Sequence, residues 1–174
     1  MANEAPMEAI RRYLQDAIAA EKHFEGQLRT NAKDAEQPEI KRLFEQHAEE
    51  TRMQHERLTA RLETLGGSPS GMKSFMANLF GMAPKAAQMG HDAAERGTQD
   101  LIMAYAVEQS EIAMYEALIV AADAAGDQET AQLAREIQQQ ERRTAERVWD
   151  LVAPAARQSF MKVTGTGREA RRAA

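Results

Sequence analysis

The sequence predicts an all-α protein: an antiparallel four-helix bundle with one long crossover between the second and third helices. Three observations carry this. Ala, Glu, Gln, Arg and Met abound while aromatic residues make up only 5% of the chain, a bias toward helix and away from strand. Four long segments repeat apolar residues at alternating steps of three and four, the spacing of one helical face. The connections between those segments are short, long and short in turn.

Segment A runs from about Pro6 to Ala32. Pro6 suits the first turn of a helix, and the face reads Ile10, Leu14, Ala17, Glu21, Phe24 and Leu28. Segment B runs from about Pro38 to Leu65 and stops at Gly66-Gly67. Its face is apolar at both ends, with Ile40, Leu43 and Phe44, then Leu58, Leu62 and Leu65; between them lie His47, Glu50, Thr51 and Gln54. Segment C runs from about Gly97 to Ala125, with Leu101, Ala104, Glu108, Glu111, Tyr115, Leu118 and Ala122 on its face. Segment D runs from about Asp127 to Val152 and is expected to stop near Pro154; its face is Ile137, Glu141, Thr144, Val148 and Leu151.

The links "NAKDAEQP" and "AAGDQ" are short enough to make A–B and C–D antiparallel hairpins. The link from Gly66 to Arg96 is long enough to run the length of the bundle, since a helix of about 26 residues spans roughly 39 Å. Two hairpins joined by one such crossover form the ferritin-like arrangement. Within the crossover, Met72, Phe75, Met76, Leu79 and Phe80 are spaced as a short extra helix. It is expected to lie across the bundle and cover apolar surface, with a dimer contact as the alternative; membrane attachment ranks last, since only Lys73 and Lys85 supply nearby positive charge. Residues 1–155 read as one bundle domain and 156–174 as a flexible basic tail, with Arg168, Arg171 and Arg172 near its end.

With 174 residues, 43% hydrophobic and 28% charged, the chain can bury a core of its own. A net charge of -5 argues against nucleic-acid binding. The absence of cysteine excludes disulfides and thiolate metal sites. Glu4 and Glu8 precede no apolar run, so no signal peptide is expected, and no stretch is long and apolar enough to span a membrane. The expected location is the cytoplasm.

Each segment carries a glutamate on or beside its apolar face near mid-length: Glu21 in A, Glu50 in B, Glu108 and Glu111 in C, Glu141 in D. Glu50 follows Glu21 by 29 positions and Glu141 follows Glu111 by 30, so two matched hairpins would bring the acids to one height. No Lys or Arg shares those faces at that layer; Lys22, Arg52, Arg142 and Arg143 point elsewhere. Clustered carboxylates in low dielectric must take up protons, admit water or bind cations. Carboxylates with an imidazole suit iron, manganese or zinc, and a bundle core supplying one glutamate per helix is a known di-metal design. His47, one turn before Glu50, reads either as a structural core histidine or as a ligand. Gln54, Thr144 and Tyr115 line the layer and could orient the carboxylates by hydrogen bonds; for Tyr115, ordinary packing with a satisfied hydroxyl is the alternative. His23, His55 and His91 are expected at the surface.

The stretches "AIAAEKHF", "FEQHAEETRMQHERL", "AVEQSEIAMYEAL" and "QQQERRTAERV" resemble, in order and spacing, the bacterial ferritin-like proteins of the YciE/YciF type. The resemblance covers roughly residues 8 to 152. It implies a ferritin-like bundle, a di-iron or similar metal centre, dimerisation and an association with stress responses. It also implies that Glu21, Glu50, Glu111 and Glu141 take the positions of the four metal-binding carboxylates. Glu108 matches the additional helix-C glutamate of rubrerythrin-like sites. Two positions depart from the usual Glu-x-x-His: the chain reads Glu50-Thr51-Arg52-Met53 and Glu141-Arg142-Arg143-Thr144. His47, on the other side of Glu50, is the candidate substitute.

The expected function is therefore a ferritin-like metal-binding protein. It would hold one or two iron ions, with manganese or zinc as alternatives, and handle iron or react with oxygen or peroxide. As an enzyme it would be a non-haem di-metal oxidoreductase; the sequence names no catalytic residue or organic substrate. Two other readings stand: a metal-free helical interaction module that docks through 72–82, and a dimanganese, catalase-like centre. The expected partners are metal ions and a second copy of the chain.

Overall fold

A computed structural model describes residues 4–69 and 92–166. Among them are four long helices: α1 (Glu4–Asp34), α2 (Pro38–Thr64), α3 (Arg96–Ala125) and α4 (Gln128–Thr164), with a single 3-10 turn, Ala93–Glu95, leading into α3. Pro38 opens α2, where a missing N–H costs nothing. Gly126 ends α3 at φ 76°. Only glycine takes that conformation without strain, and it lets the N–H of Asp127 reach the Ala122 carbonyl and close the helix end. Asp127 then caps α4, accepting from the Thr130 N–H at 3.1 Å and the Thr130 hydroxyl at 2.6 Å.

The side-chain contacts fix the topology. Residues 35–37 join α1 to α2, and Gly126-Asp127 join α3 to α4, giving two antiparallel hairpins. Arg61, near the end of α2, binds Asp127 at 2.5 Å, so α2 ends beside the α3–α4 turn. At the other end, Ser159 of α4 donates to the Ala94 carbonyl at 2.9 Å, and Lys162 pairs with Glu36 in the α1–α2 link at 3.0 Å. α3 therefore starts beside the α1–α2 turn. The chain between α2 and α3 must travel from one end of the bundle to the other, which is the ferritin-like connection. The expected short helix at Met72–Met82 and His91 lie outside the described residues.

α4 differs from expectation. It does not stop near Pro154 but continues to Thr164. Pro154 is exposed, as is Asp150, whose carbonyl loses its usual helical donor to the proline. Beyond the proline, Ala155 and Ser159 are buried, and Ser159 Oγ lies 2.9 Å from Thr98 Oγ1. These contacts hold the last turns against the start of α3 and outweigh the lost bond. The first nine residues assigned to a tail, 156–164, are thus helical, while 167–174 lie outside the described residues. Among the described residues, no helix is long and apolar enough to cross a membrane.

The core is divided in two. One apolar cluster joins Ile10, Leu14, Leu58, Leu62, Leu118 and Ile137. The other joins Leu28, Ile40, Phe44, Leu101 and Val148. Between them, at mid-length, all four helices turn polar side chains inward.

Candidate metal centre

Each helix places its contribution by periodicity. On α2, His47, Thr51 and Gln54 share the buried face, and on α3 Glu108, Glu111 and Tyr115 do; α1 supplies Glu21, and α4 supplies Glu141 and Thr144. Four carboxylates are shut off from water: Glu21 is 1% exposed, Glu108 0%, Glu111 3% and Glu141 1%. Among the described residues, no Lys or Arg is buried with them. Arg52 is engaged at the surface with Glu49 and Glu56, and Lys22, Arg142 and Arg143 are exposed.

Three neutral or polar side chains address the acids. His47 Nε2 lies 2.7 Å from Glu108 Oε1. The Tyr115 hydroxyl donates to Glu21, and the Gln54 amide to Glu141. Besides the Gln54 amide oxygen, four atoms of the layer remain buried without a hydrogen-bond partner: His47 Nδ1, Glu108 Oε2, Glu111 Oε1 and Glu141 Oε2. Buried polar atoms are almost always satisfied, and these four are all atoms that coordinate metals. In the neutral imidazole tautomer that donates from Nε2 to Glu108, Nδ1 presents a lone pair. His47, Glu108 and Glu141 each offer a donor atom, all within 4.8 Å of one another. This set of imidazole nitrogen and carboxylate oxygen fits iron, manganese or zinc.

Burial, and then the negative charge of Glu108, push the Glu21 carboxyl up to about 8, against the opposing pull of the Tyr115 hydrogen bond. Burial likewise raises Glu111, reinforced by Glu21, Glu141 and Glu108, and raises Glu141, reinforced by Glu21 and Glu108. Without a cation these three carboxyls hold their protons to higher pH than an ordinary glutamate. Burial and the surrounding acids also raise Tyr115, which stays a donor.

Glu50 is the exception to the expected convergence. Its side chain is 33% exposed and pairs with Arg147 of α4 at 2.6 Å. On α2 it sits at the edge of the inward face, about 60° round from His47 at roughly 100° per residue. Thr144 also turns this way, accepting from Arg147 at 2.6 Å and lying 3.4 Å from Glu50. The structure thus brings together Glu21, His47, Glu108, Glu111 and Glu141, with Gln54 and Tyr115 bound to two of them, and leaves Glu50 at the rim. Arg147 is the residue that sequence reasoning missed. Its position three residues beyond Thr144, on the edge of the same face, was the available signal. His23 is exposed and His55 half-buried, both away from the layer.

A model of the family described as "Domain of unknown function (DUF892)" matches residues 7–161. Three solved structures share the fold. One, a protein of Xanthomonas campestris pv. campestris, is 35% identical, with TM-score 0.77 over 92% of this chain and 99% of that one. The E. coli stress protein YciF is 25% identical, with TM-score 0.76 over 87% of this chain and 97% of that one. YcfI of Rhodopseudomonas palustris, described as a putative structural protein, is 26% identical, with TM-score 0.73 over 82% and 92%. None of the curated proteins matches the chain.

Proposed function

The chain belongs to the DUF892 family of YciE/YciF-type proteins, and on that premise we propose that it is a metal-binding protein whose carboxylate layer holds iron. The observation that carries the reading is the set of unpartnered buried donors, His47 Nδ1, Glu108 Oε2, Glu111 Oε1 and Glu141 Oε2, in a layer where, among the described residues, no Lys or Arg is buried. His47, Glu108 and Glu141 form the first set of ligands; Glu111 and Glu21 supply carboxylates for a second ion. Gln54 and Tyr115 orient Glu141 and Glu21. The two apolar clusters on either side exclude water from the layer. Bound iron would supply one-electron chemistry toward oxygen or peroxide, consistent with a stress-related role, since YciF is named a stress protein; the proposed location is the cytoplasm. Manganese and zinc suit the same donors.

Anaerobic Fe(II) titration of wild type, His47→Ala and Glu141→Ala tests this. Uptake by wild type and its loss in both variants is expected. No uptake by wild type, or undiminished uptake in the variants, rejects it.

A metal-free, protonated layer is the second reading, supported by the raised carboxyls of Glu21, Glu111 and Glu141. It predicts a purified protein whose melting temperature is indifferent to Fe, Mn and Zn.

The protein is further proposed to be a homodimer. Supporting this, Trp149 is 61% exposed and its ring lies 5.2 Å from that of Tyr105 on the outer face of α3 and α4, an exposed aromatic surface of the kind that interfaces use. Trp149→Ala should then shift the sedimentation coefficient toward the monomer; an unchanged value would reject this surface.

A further inference from the structure

The inner carboxylates are buried, so a hydrated cation cannot reach them unless something at the rim moves. Glu50 is the carboxylate at that rim. It stands on α2 one turn from His47 and one turn from Gln54, and those two side chains touch Glu108 and Glu141. What holds it outward is Arg147, which places Nη2 2.6 Å and Nη1 3.4 Å from the two Glu50 oxygens. The same Nη2 donates to Thr144 Oγ1 at 2.6 Å. Thr144 is buried one turn from Glu141, so the pair is anchored on the layer itself.

The clamp is incomplete. Arg147 Nε is buried without a partner, and the Arg147 and Glu50 side chains are 39% and 33% exposed. An ion pair that wet is weak. A divalent cation competes for Glu50 with twice the charge of the guanidinium, and Arg147 has open solvent into which to turn.

We propose that Glu50 and Arg147 form a latch on the metal centre: Arg147 holds Glu50 at the bundle surface, and an arriving divalent cation takes Glu50 from it and draws the carboxylate inward as a further ligand. The inference rests on the metal-binding reading. It makes Arg147 a competitor of the metal for one carboxylate, so coordination by Glu50 and the Glu50–Arg147 contact are mutually exclusive.

A double-substitution cycle in Co(II) affinity, read from the visible absorbance of the bound ion, tests it. Arg147→Gln should tighten Co(II) binding about fivefold, the scale of a half-exposed ion pair. Glu50→Gln should weaken it. In the Glu50→Gln background, Arg147→Gln should change affinity less than about twofold, because only simple charge repulsion is left. Arg147→Lys, which keeps the charge but loses the fork, should fall between wild type and Arg147→Gln. An equal effect of Arg147→Gln in both backgrounds, or Arg147→Lys indistinguishable from wild type, would overturn the latch while leaving the centre intact. Absence of Co(II) and Fe(II) binding in wild type would overturn both.

Discussion

Tyr115 of α3 donates its hydroxyl hydrogen to Glu21 of α1, and both side chains are buried. The bond crosses the bundle between two helices that are not neighbours in sequence. It is also the one contact that pulls the Glu21 carboxyl downward against burial. Tyr115→Phe should therefore do two things. It should destabilise the protein by about 1–2 kcal/mol, the cost of leaving a buried acceptor unpaired, as read by urea denaturation. It should also weaken metal binding several-fold, because Glu21 becomes harder to ionise. Unchanged affinity would show that Glu21 is not a ligand.

The metal-free protein should lose stability as pH rises. Glu21 has a folded value near 8 against an ordinary 4.5, and Glu111 and Glu141 are raised as well. The folded state therefore binds more protons than the unfolded chain between those values, and stability falls with pH across that interval. The contribution is fully present below about 4.5 and is lost as pH passes through about 8. Asp127 acts oppositely. Burial pushes it up, but its bonds to Thr130 and the nearby Arg61 outweigh this and hold it below 3.8, so its contribution disappears only in acid. Melting temperatures of chelator-treated protein from pH 5 to 9 should decline; a rise would contradict protonated carboxyls in the layer.

Metal should reverse that trend and release protons. Ligands must be deprotonated to bind, so Fe(II) added near pH 7 should liberate protons measurable in a weakly buffered indicator solution. A ligand at one hundred times its dissociation constant adds about 2.7 kcal/mol to stability. Proton release without a thermal shift, or a shift without release, would count against coordination by these carboxyls.

Glu111→Leu should separate stability from binding. The Glu111 Oε1 atom is buried and unpartnered, so an apolar side chain of similar size removes a desolvation cost. The metal-free variant should gain about 1–2 kcal/mol in urea and lose part of the stabilisation by metal. A destabilised variant would mean that Glu111 is satisfied in solution.

Most of the architecture was legible because helical periodicity reports burial directly. Leu14, Phe24, Phe44, Leu58, Leu101, Leu118, Ile137 and Val148 were all expected inside and all are. Glu21, Glu108, Glu111 and Glu141 were legible for the same reason, as acids in phase with apolar neighbours. Glu50 shows where periodicity stops. A residue at the edge of a face can turn either way, and its choice depends on what stands opposite. Here that is Arg147, on a helix 97 positions away in sequence. Pro154 misled for a related reason: the local rule that proline ends a helix holds only when nothing beyond it is anchored, and Ser159 is anchored to Thr98 and Ala94.

The divided core has an implication for how the protein can vary. Ile10, Leu14, Leu58 and Leu62 pack at one end, and Leu28, Ile40, Phe44 and Leu101 at the other, with an acidic belt between. Substitutions in separate clusters that share no partner add in their effects, so Leu14→Ala combined with Phe44→Ala should lose the sum of the two single losses. Each end is then free to drift on its own terms. Only the belt, where side chains from all four helices meet, has to change in concert.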